Sequence, residues 1–185
     1  MAVDTLSLSP VLLLAMPQMA DPNFRKAVVL VTEYGPDGAF GLVLNRPMDV
    51  PAISIVRAEP PLAVDPNVHL FVGGPCDQTR AWVLMRDRKR DAEAHEVLPG
   101  IYLSASPDLV REGLTHPGGS GLRILVGYAG WASGQLDVEL AESAWLMAPV
   151  DPTLVFDTPV TEMWESALRR LGTSPALLQE GGGVQ

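Results

Sequence analysis

Apolar positions along this chain cluster into short runs in its first half and into helical stripes in its second. Val11–Met16 and the Val- and Thr-rich Ala27–Tyr34 predict strands. Gly35-Pro-Asp-Gly38 has the chemistry of a turn, so Ala39–Asn45 is the return strand of a hairpin. Asp21-Pro22 looks like a helix start, but the next strand leaves it room for one short turn. Pro51–Arg57 predicts a short helix with Ile53 and Val56 facing inward, and Glu59-Pro-Pro61 a linker. Val68–Val72, Ala81–Arg86, Glu93–Leu98 and Ile101–Ser104 read as further strands. Ser106-Pro107-Asp108 opens a helix whose apolar face is Leu109, Val110, Gly113 and Leu114. His116–Gly121 is a glycine-rich stop. Leu122–Tyr128 is apolar on both faces and predicts a central strand. Gln135–Ser143 predicts a helix, and Ala144–Val150 a strand. From Thr158-Pro159 onward, Val160, Met163, Trp164, Ala167, Leu168 and Leu171 form one continuous helical stripe, stopped by Gly172. Ser174-Pro175 starts a last short turn. A hairpin followed by mixed strands and helices predicts a layered α+β or α/β domain.

Composition narrows the class. With 185 residues, 47% hydrophobic and 19% charged, the chain is long enough to bury a core and is not of disordered type. A single domain over 1–180 is expected, with a disordered tail at 181–185. One cysteine, Cys76, allows no internal disulfide and suits a reducing compartment. The run Val11–Met16 is too short for a signal segment or a membrane span, so a cytoplasmic location is expected. A net charge of −9 argues against a protein that tracks phosphate backbones. The basic stretch Arg86-Asp-Arg-Lys-Arg90 is balanced by nearby Asp87, Asp91, Glu93 and Glu96, and reads as a solubilising hairpin tip.

Candidate chemistry is sparse. Neither Ser120 nor Ser133 lies in a nucleophile-elbow pattern, and both read as turn hydroxyls. His69, His95 and His116 have no metal-ligand spacing, so neither a metal nor another cofactor is expected. No phosphate-loop signature occurs. A softer feature is the pairing of strand-ending glycines with arginines. Gly73 and Gly74 offer successive backbone amides, and Arg46 and Arg80 offer planar forks for a carboxylate or phosphate. The expectation is a site for a small anionic ligand formed by Asn45, Arg46, Gly73, Gly74, Arg80, Trp131 and Gln135. Trp131 is read as the one tryptophan set in a turn, within the glycine-threaded corner Gly127–Leu136. An enzyme reading would use Asn45, Arg46, Arg80 and Asp157, without an identifiable general base apart from Asp157.

Several ordered segments together resemble the AlgH (YqgE-like) family. They are Met16-Pro17 with Asp21-Pro-x-Phe24, Ala27-Val-Val-Leu30, Gly38-Ala-x-Gly41-Leu-Val-Leu-Asn-Arg-Pro47, and Gly73-Gly-Pro75 with Arg80. Gly127-Tyr-Ala-Gly-Trp131 with Gly134-Gln-Leu136, and Phe156-Asp-Thr-Pro159 with Trp164, complete the set. The resemblance runs from about Leu12 to Gly172. It implies a bacterial α+β protein with a branched mixed β-sheet flanked by helices. It brings no agreed catalytic residues, and Cys76-Asp77 departs from the family's usual pattern. The family is commonly labelled as regulating transcription, through a link to alginate control. The resulting expectation is a protein that binds an unknown partner or a small anionic ligand and acts on gene expression indirectly. The alternatives are a regulator that binds DNA directly, against which stand the acidic balance and the lack of a helix-turn-helix pattern, and an enzyme acting on a small anionic substrate.

Overall fold

The first strands are apolar at nearly every position because both of their faces are covered. Residues 9–87, 91–116 and 121–181 are described in a computed structural model. In chain order it contains β1 (Val11–Ala15), β2 (Val28–Gly35), β3 (Gly38–Val43), β4 (Phe71–Val72), β5 (Cys76–Met85), β6 (His95–Leu98) and β7 (Ile101–Ser104). There follow α1 (Pro107–Thr115), β8 (Leu122–Ala132), α2 (Gln135–Ala141), β9 (Trp145–Ala148), α3 (Pro152–Asp157), α4 (Met163–Arg170) and α5 (Pro175–Gly181). Leu12, Leu14, Val28, Leu30, Leu42 and Leu44 pack to one side, against Leu154, Phe156, Met163, Trp164 and Leu168 of α3 and α4. The alternate residues Leu13, Val29, Val31 and Val43 pack to the other, against Trp131, Leu136 and Trp145. Period-two alternation is thus present in space while hidden in the sequence.

The strands form one curled sheet in the order β6-β7-β5-β8-β3-β2-β1-β9, and β4 joins the side of β8. Every pairing is antiparallel except β4–β8. The sheet is therefore mixed, and the class is α+β as expected. It branches at β8. One edge of β8 pairs with β4 at Leu125 and Val126, then with β3 from Ala129 to Ala132. Gly73 joins the two branches: its N–H donates to the Val126 carbonyl at 2.7 Å, and its carbonyl accepts from Val43 N at 2.7 Å.

Gly127 lies at this branch with φ +77°. Arg123 and Leu125 lie on the α3–α4 side of the sheet, Arg123 reaching the Leu44 carbonyl at 3.1 Å. Past Gly127 the parity reverses: Tyr128 takes that side, and Ala129 and Trp131 take the opposite one. Burial lowers the Arg123 pKa to about 10, and its guanidinium lies 4.8 Å from the Phe71 ring centroid.

Three local expectations change. Strand β8 runs through Tyr128, Gly130 and Trp131, so Trp131 is a buried strand residue, and the corner is confined to Ser133 and Gly134. The extended register with β3 overrides the turn suggested by the glycines. Asp21 opens the one short turn expected there: its side chain accepts Asn23 N at 2.9 Å, and β2 starts too soon for more. At 51–57 only a 3-10 turn forms, Ala52–Ser54, with Ala52 buried and Ile53 47% exposed. Finally, Asp151-Pro152 starts a helix that the apolar pattern alone did not show. Asp151 caps α3 through Thr153 N at 2.9 Å and pairs with Arg170. The Thr153 amide first, and Arg170 after it, hold the Asp151 carboxyl below the usual carboxylate range. The stripe at 160–171 survives as α4, which begins at Met163 and leaves Leu171 exposed. The expected tail begins with Gly181, the last residue of α5. Its other residues, 182–185, lie outside the described residues, as do Arg88, Lys89 and Arg90 of the basic stretch.

Helix α2 is tied to the sheet by three side chains. Gln135 Oε1 accepts Ala132 N at 3.0 Å. Glu139 Oε2 accepts both the Trp131 and Trp145 indole N–H groups, at 2.9 and 2.8 Å. Asp137 accepts the Tyr34 hydroxyl. Burial, and then the Asp137 carboxylate, push the Tyr34 phenol up to about 12 from 10.0. Its value is raised on folding, so the stability from this contact is whole below pH 10 and is lost as the pH rises toward 12. Urea unfolding across that interval should show a steep fall for the native chain and a shallower one for Tyr34→Phe. Equal slopes in the two proteins would overturn the assignment.

Candidate ligand-binding cleft

The α3–α4 side of the sheet is only partly roofed. Where the helices stop, a cleft of about 720 Å³ opens across β2, β3, β8, β5, β7 and β6. Its wall is aromatic. Phe40 lies 5.1 Å from both the Trp82 and Tyr128 ring centroids, edge-on to the first and tilted to the second. Arg80 lies over the Trp82 ring at 4.8 Å. Glu33 and Thr32 border the cleft at β2. Asp91, Glu93, His95, Leu103, Ser104 and Ser106 border it at the far end.

Sheet irregularities place several of these groups. Register breaks in three strand pairs, β2–β3, β5–β8 and β6–β7, and strands of all three pairs border the cleft. Thr32 is the extra residue of the first break, between Val31 and Glu33. In the second, Cys76 pairs with Tyr128 and Ala81 with Val126, so residues 77–80 bulge opposite Gly127. The Thr79 hydroxyl closes this bulge onto Asp77 at 2.6 Å, and its last residue is Arg80. Bulges re-aim side chains and are enriched next to functional sites.

The far end is built around Asp91. One of its carboxylate oxygens accepts the Ser104 hydroxyl at 2.5 Å and the other the Glu93 amide at 2.9 Å. Ser104 in turn accepts the Ser106 amide at 3.0 Å. Ser106 caps α1, accepting Leu109 N at 3.4 Å. Asp91 and the two serines are therefore engaged in holding the loop. Arg80, Glu33 and Glu93 are different. All three are exposed, and their side chains form no hydrogen bond or ion pair with each other or with another described residue. The Trp82 indole nitrogen is buried and has no hydrogen-bond partner among the described residues.

Of the seven residues expected to form a site, Arg80 lines this cleft. Arg46 and Gly74 line a separate depression of about 140 Å³ with Pro22, Asn23 and Pro75. The Arg46 guanidinium there donates to the Arg25 carbonyl, and burial, then the Arg25 charge, lower its pKa. Asn45 bridges the Val28 amide at 3.0 Å and the Lys26 carbonyl at 2.9 Å. Gly73 joins the sheet branches. Gln135 and Trp131 converge on Glu139. Trp131 also borders a hollow that shares Glu33 and Phe40 with the main cleft. Asp157 pairs with Arg86 at 2.8 Å and does not line the cleft. Phe40, Tyr128, Trp82, Glu33 and Glu93 were not expected as a group. The signal for them is strand parity, which the breaks at Thr32 and Gly127 disguise. Among the described residues, no three His, Cys, Asp or Glu side chains cluster to hold a metal ion. No described helix is long and apolar enough to cross a membrane.

Residues 12–176 match the family described as AlgH-like (DUF179). A UPF0301 protein of Vibrio cholerae is 35% identical over 178 residues, covering 92% of this chain and 95% of the relative. One from Myxococcus xanthus is 38% identical, covering 96% and 98%. Among solved structures, the AlgH protein of Pseudomonas aeruginosa superposes with a TM-score of 0.75 at 36% identity, with 96% of each chain covered. A crystal structure of a Corynebacterium diphtheriae protein gives 0.66 at 25% identity, covering 92% of this chain and 94% of the other. With the match spanning nearly every strand and helix described above, the chain belongs to the AlgH-like family.

Proposed function

We propose that the chain is a ligand-binding protein whose site is the aromatic cleft, with Arg80 receiving an anionic group of a small molecule. The supporting observation is that a concave, aromatic-walled cleft holds a guanidinium stacked on Trp82 with no carboxylate partner among the described residues. A cleft of this size suits a ligand of a few hundred daltons, and a few placed polar groups on an apolar wall are typical of such sites. Any effect on gene expression is then indirect, in keeping with the net charge of −9. The free, half-exposed Cys76 fits action in the reducing cytoplasm.

Thermal unfolding against a panel of carboxylate- and phosphate-bearing metabolites tests the reading. A ligand present at a hundred times its Kd adds about 2.7 kcal/mol, or a rise in Tm of about 5–10 °C for a chain of this size. Arg80→Met should abolish that rise. No shift across the panel, or a shift that persists in Arg80→Met, would sink the proposal.

A further inference from the structure

We infer that the ligand is a short peptide with free termini, of about two to four residues, lying across the strands of the cleft. This rests on the cleft reading above and names its ligand class. Opposite charges that share a cleft on flexible side chains ordinarily meet in ion pairs. Here Arg80 and the carboxylates of Glu33 and Glu93 do not. Strand order explains why. Glu33 is on β2, three strand intervals from Arg80 on β5, and Glu93 precedes β6, two intervals away on the other side. At about 4.8 Å per interval, the backbones are about 14 and 10 Å apart along the sheet.

That spacing decides between ligand classes. A polyanion such as a nucleoside triphosphate would meet one guanidinium and three carboxylates among the described lining residues. A free amino acid carries both charges, but its two charged groups share one carbon and cannot span the gap. A peptide extends about 3.3–3.6 Å per residue. Two to four residues therefore cover the distance left once the side chains reach inward. The terminal carboxylate meets Arg80, where a planar fork suits it. The terminal ammonium meets Glu33 or Glu93. An apolar side chain of the peptide packs on Phe40 and Tyr128 where the chain runs from Arg80 to Glu33, and on Leu103 where it runs to Glu93. The buried Trp82 indole N–H, without a partner among the described residues, becomes a donor to a peptide carbonyl once the ring shifts on binding.

The test is calorimetric titration of the full chain with alanyl-phenylalanyl-alanine, its N-acetylated form, its C-amidated form and free phenylalanine. The unmodified tripeptide is expected to bind at least about tenfold more tightly than each of the other three. Arg80→Gln should remove the penalty for amidation. Either Glu33→Gln or Glu93→Gln should remove the penalty for acetylation. Equal binding of the acetylated peptide overturns the inference while leaving an anion site at Arg80. Equal binding of the amidated peptide overturns both. No binding of any probe overturns the peptide inference, and the metabolite panel then decides the cleft reading separately. Loss of the amidation penalty in Arg80→Gln with an unchanged Tm distinguishes a binding role from a structural one.

Discussion

Gly127→Ala should lower the unfolding free energy by about 3–5 kcal/mol, a large part of the roughly 5–15 kcal/mol that holds an ordinary domain together. Two causes add. At φ +77° an alanine pays about 1–3 kcal/mol of backbone strain. A Cβ there would also stand 2.5 Å from the Gly74 carbonyl oxygen and 3.0 Å from that of Cys76. Both obstacles are backbone, and they belong to the segment that carries the Gly73 hydrogen bonds between the sheet branches, so they cannot swing aside. Gly134 supplies the control. Its φ is +73°, but a Cβ there would meet nothing within 4 Å. Gly134→Ala should therefore cost only the strain, about 1–3 kcal/mol. Urea unfolding of the two variants separates the causes, and similar losses in both would show that the branch tolerates a side chain.

The second large effect is expected at Glu139. Its carboxylate accepts from two indoles, Trp131 and Trp145, which are 6% and 4% exposed. Glu139→Ala strands both buried donors at about 1–3 kcal/mol each, giving a loss of about 2–6 kcal/mol. Glu139→Gln keeps one oxygen acceptor but loses the charge, and should cost about 1–2 kcal/mol. Tryptophan fluorescence during chemical denaturation reads both values. A loss below about 1 kcal/mol for Glu139→Ala would mean that water replaces the carboxylate. Phe24 completes the cluster, 5.6 Å from the Trp145 ring centroid and 6.4 Å from that of Trp131.

These two sites also show how far the sequence could be read. The hairpin of β2 and β3, the helix face of α1 and the stripe of α4 follow from local periodicity and turn chemistry, and they stand where expected. The stretch Gly127–Leu136 was legible as important but not as structure. Its glycines suggest a turn, whereas long-range pairing with β3 and β5 draws Gly127 and Gly130 into β8 and leaves only Gly134 at the corner. Two of them, Gly127 and Gly130, leave room for neighbouring backbone or ring atoms. The cleft was less legible still. Arg80 could be singled out from its position after Gly73-Gly-Pro75. Its neighbours Phe40, Glu33 and Tyr128 come from three other strands, and none is adjacent to Arg80 in the chain. Counting alternate residues would put Leu125 and Tyr128 on opposite sides, and only the break at Gly127 brings them to the same one. Helix α3 was missed for a different reason: six residues are too few to develop an apolar period, although its Asp-Pro start was present.

Strand β8 behaves as two half-strands spliced out of phase. Before the splice, odd-numbered residues look toward the helices α3 and α4; after it, even-numbered ones do. A substitution pattern designed on uniform alternation would thus place charge into the core along one half while sparing it along the other. Straightening the splice while keeping Gly127 would turn Tyr128 out of the cleft and Trp131 away from Glu139 together, whereas deleting Gly127 would restore a single phase with both side chains where they are. The ligand wall and the anchor of α2, on opposite surfaces of the sheet, are in this sense set by one residue.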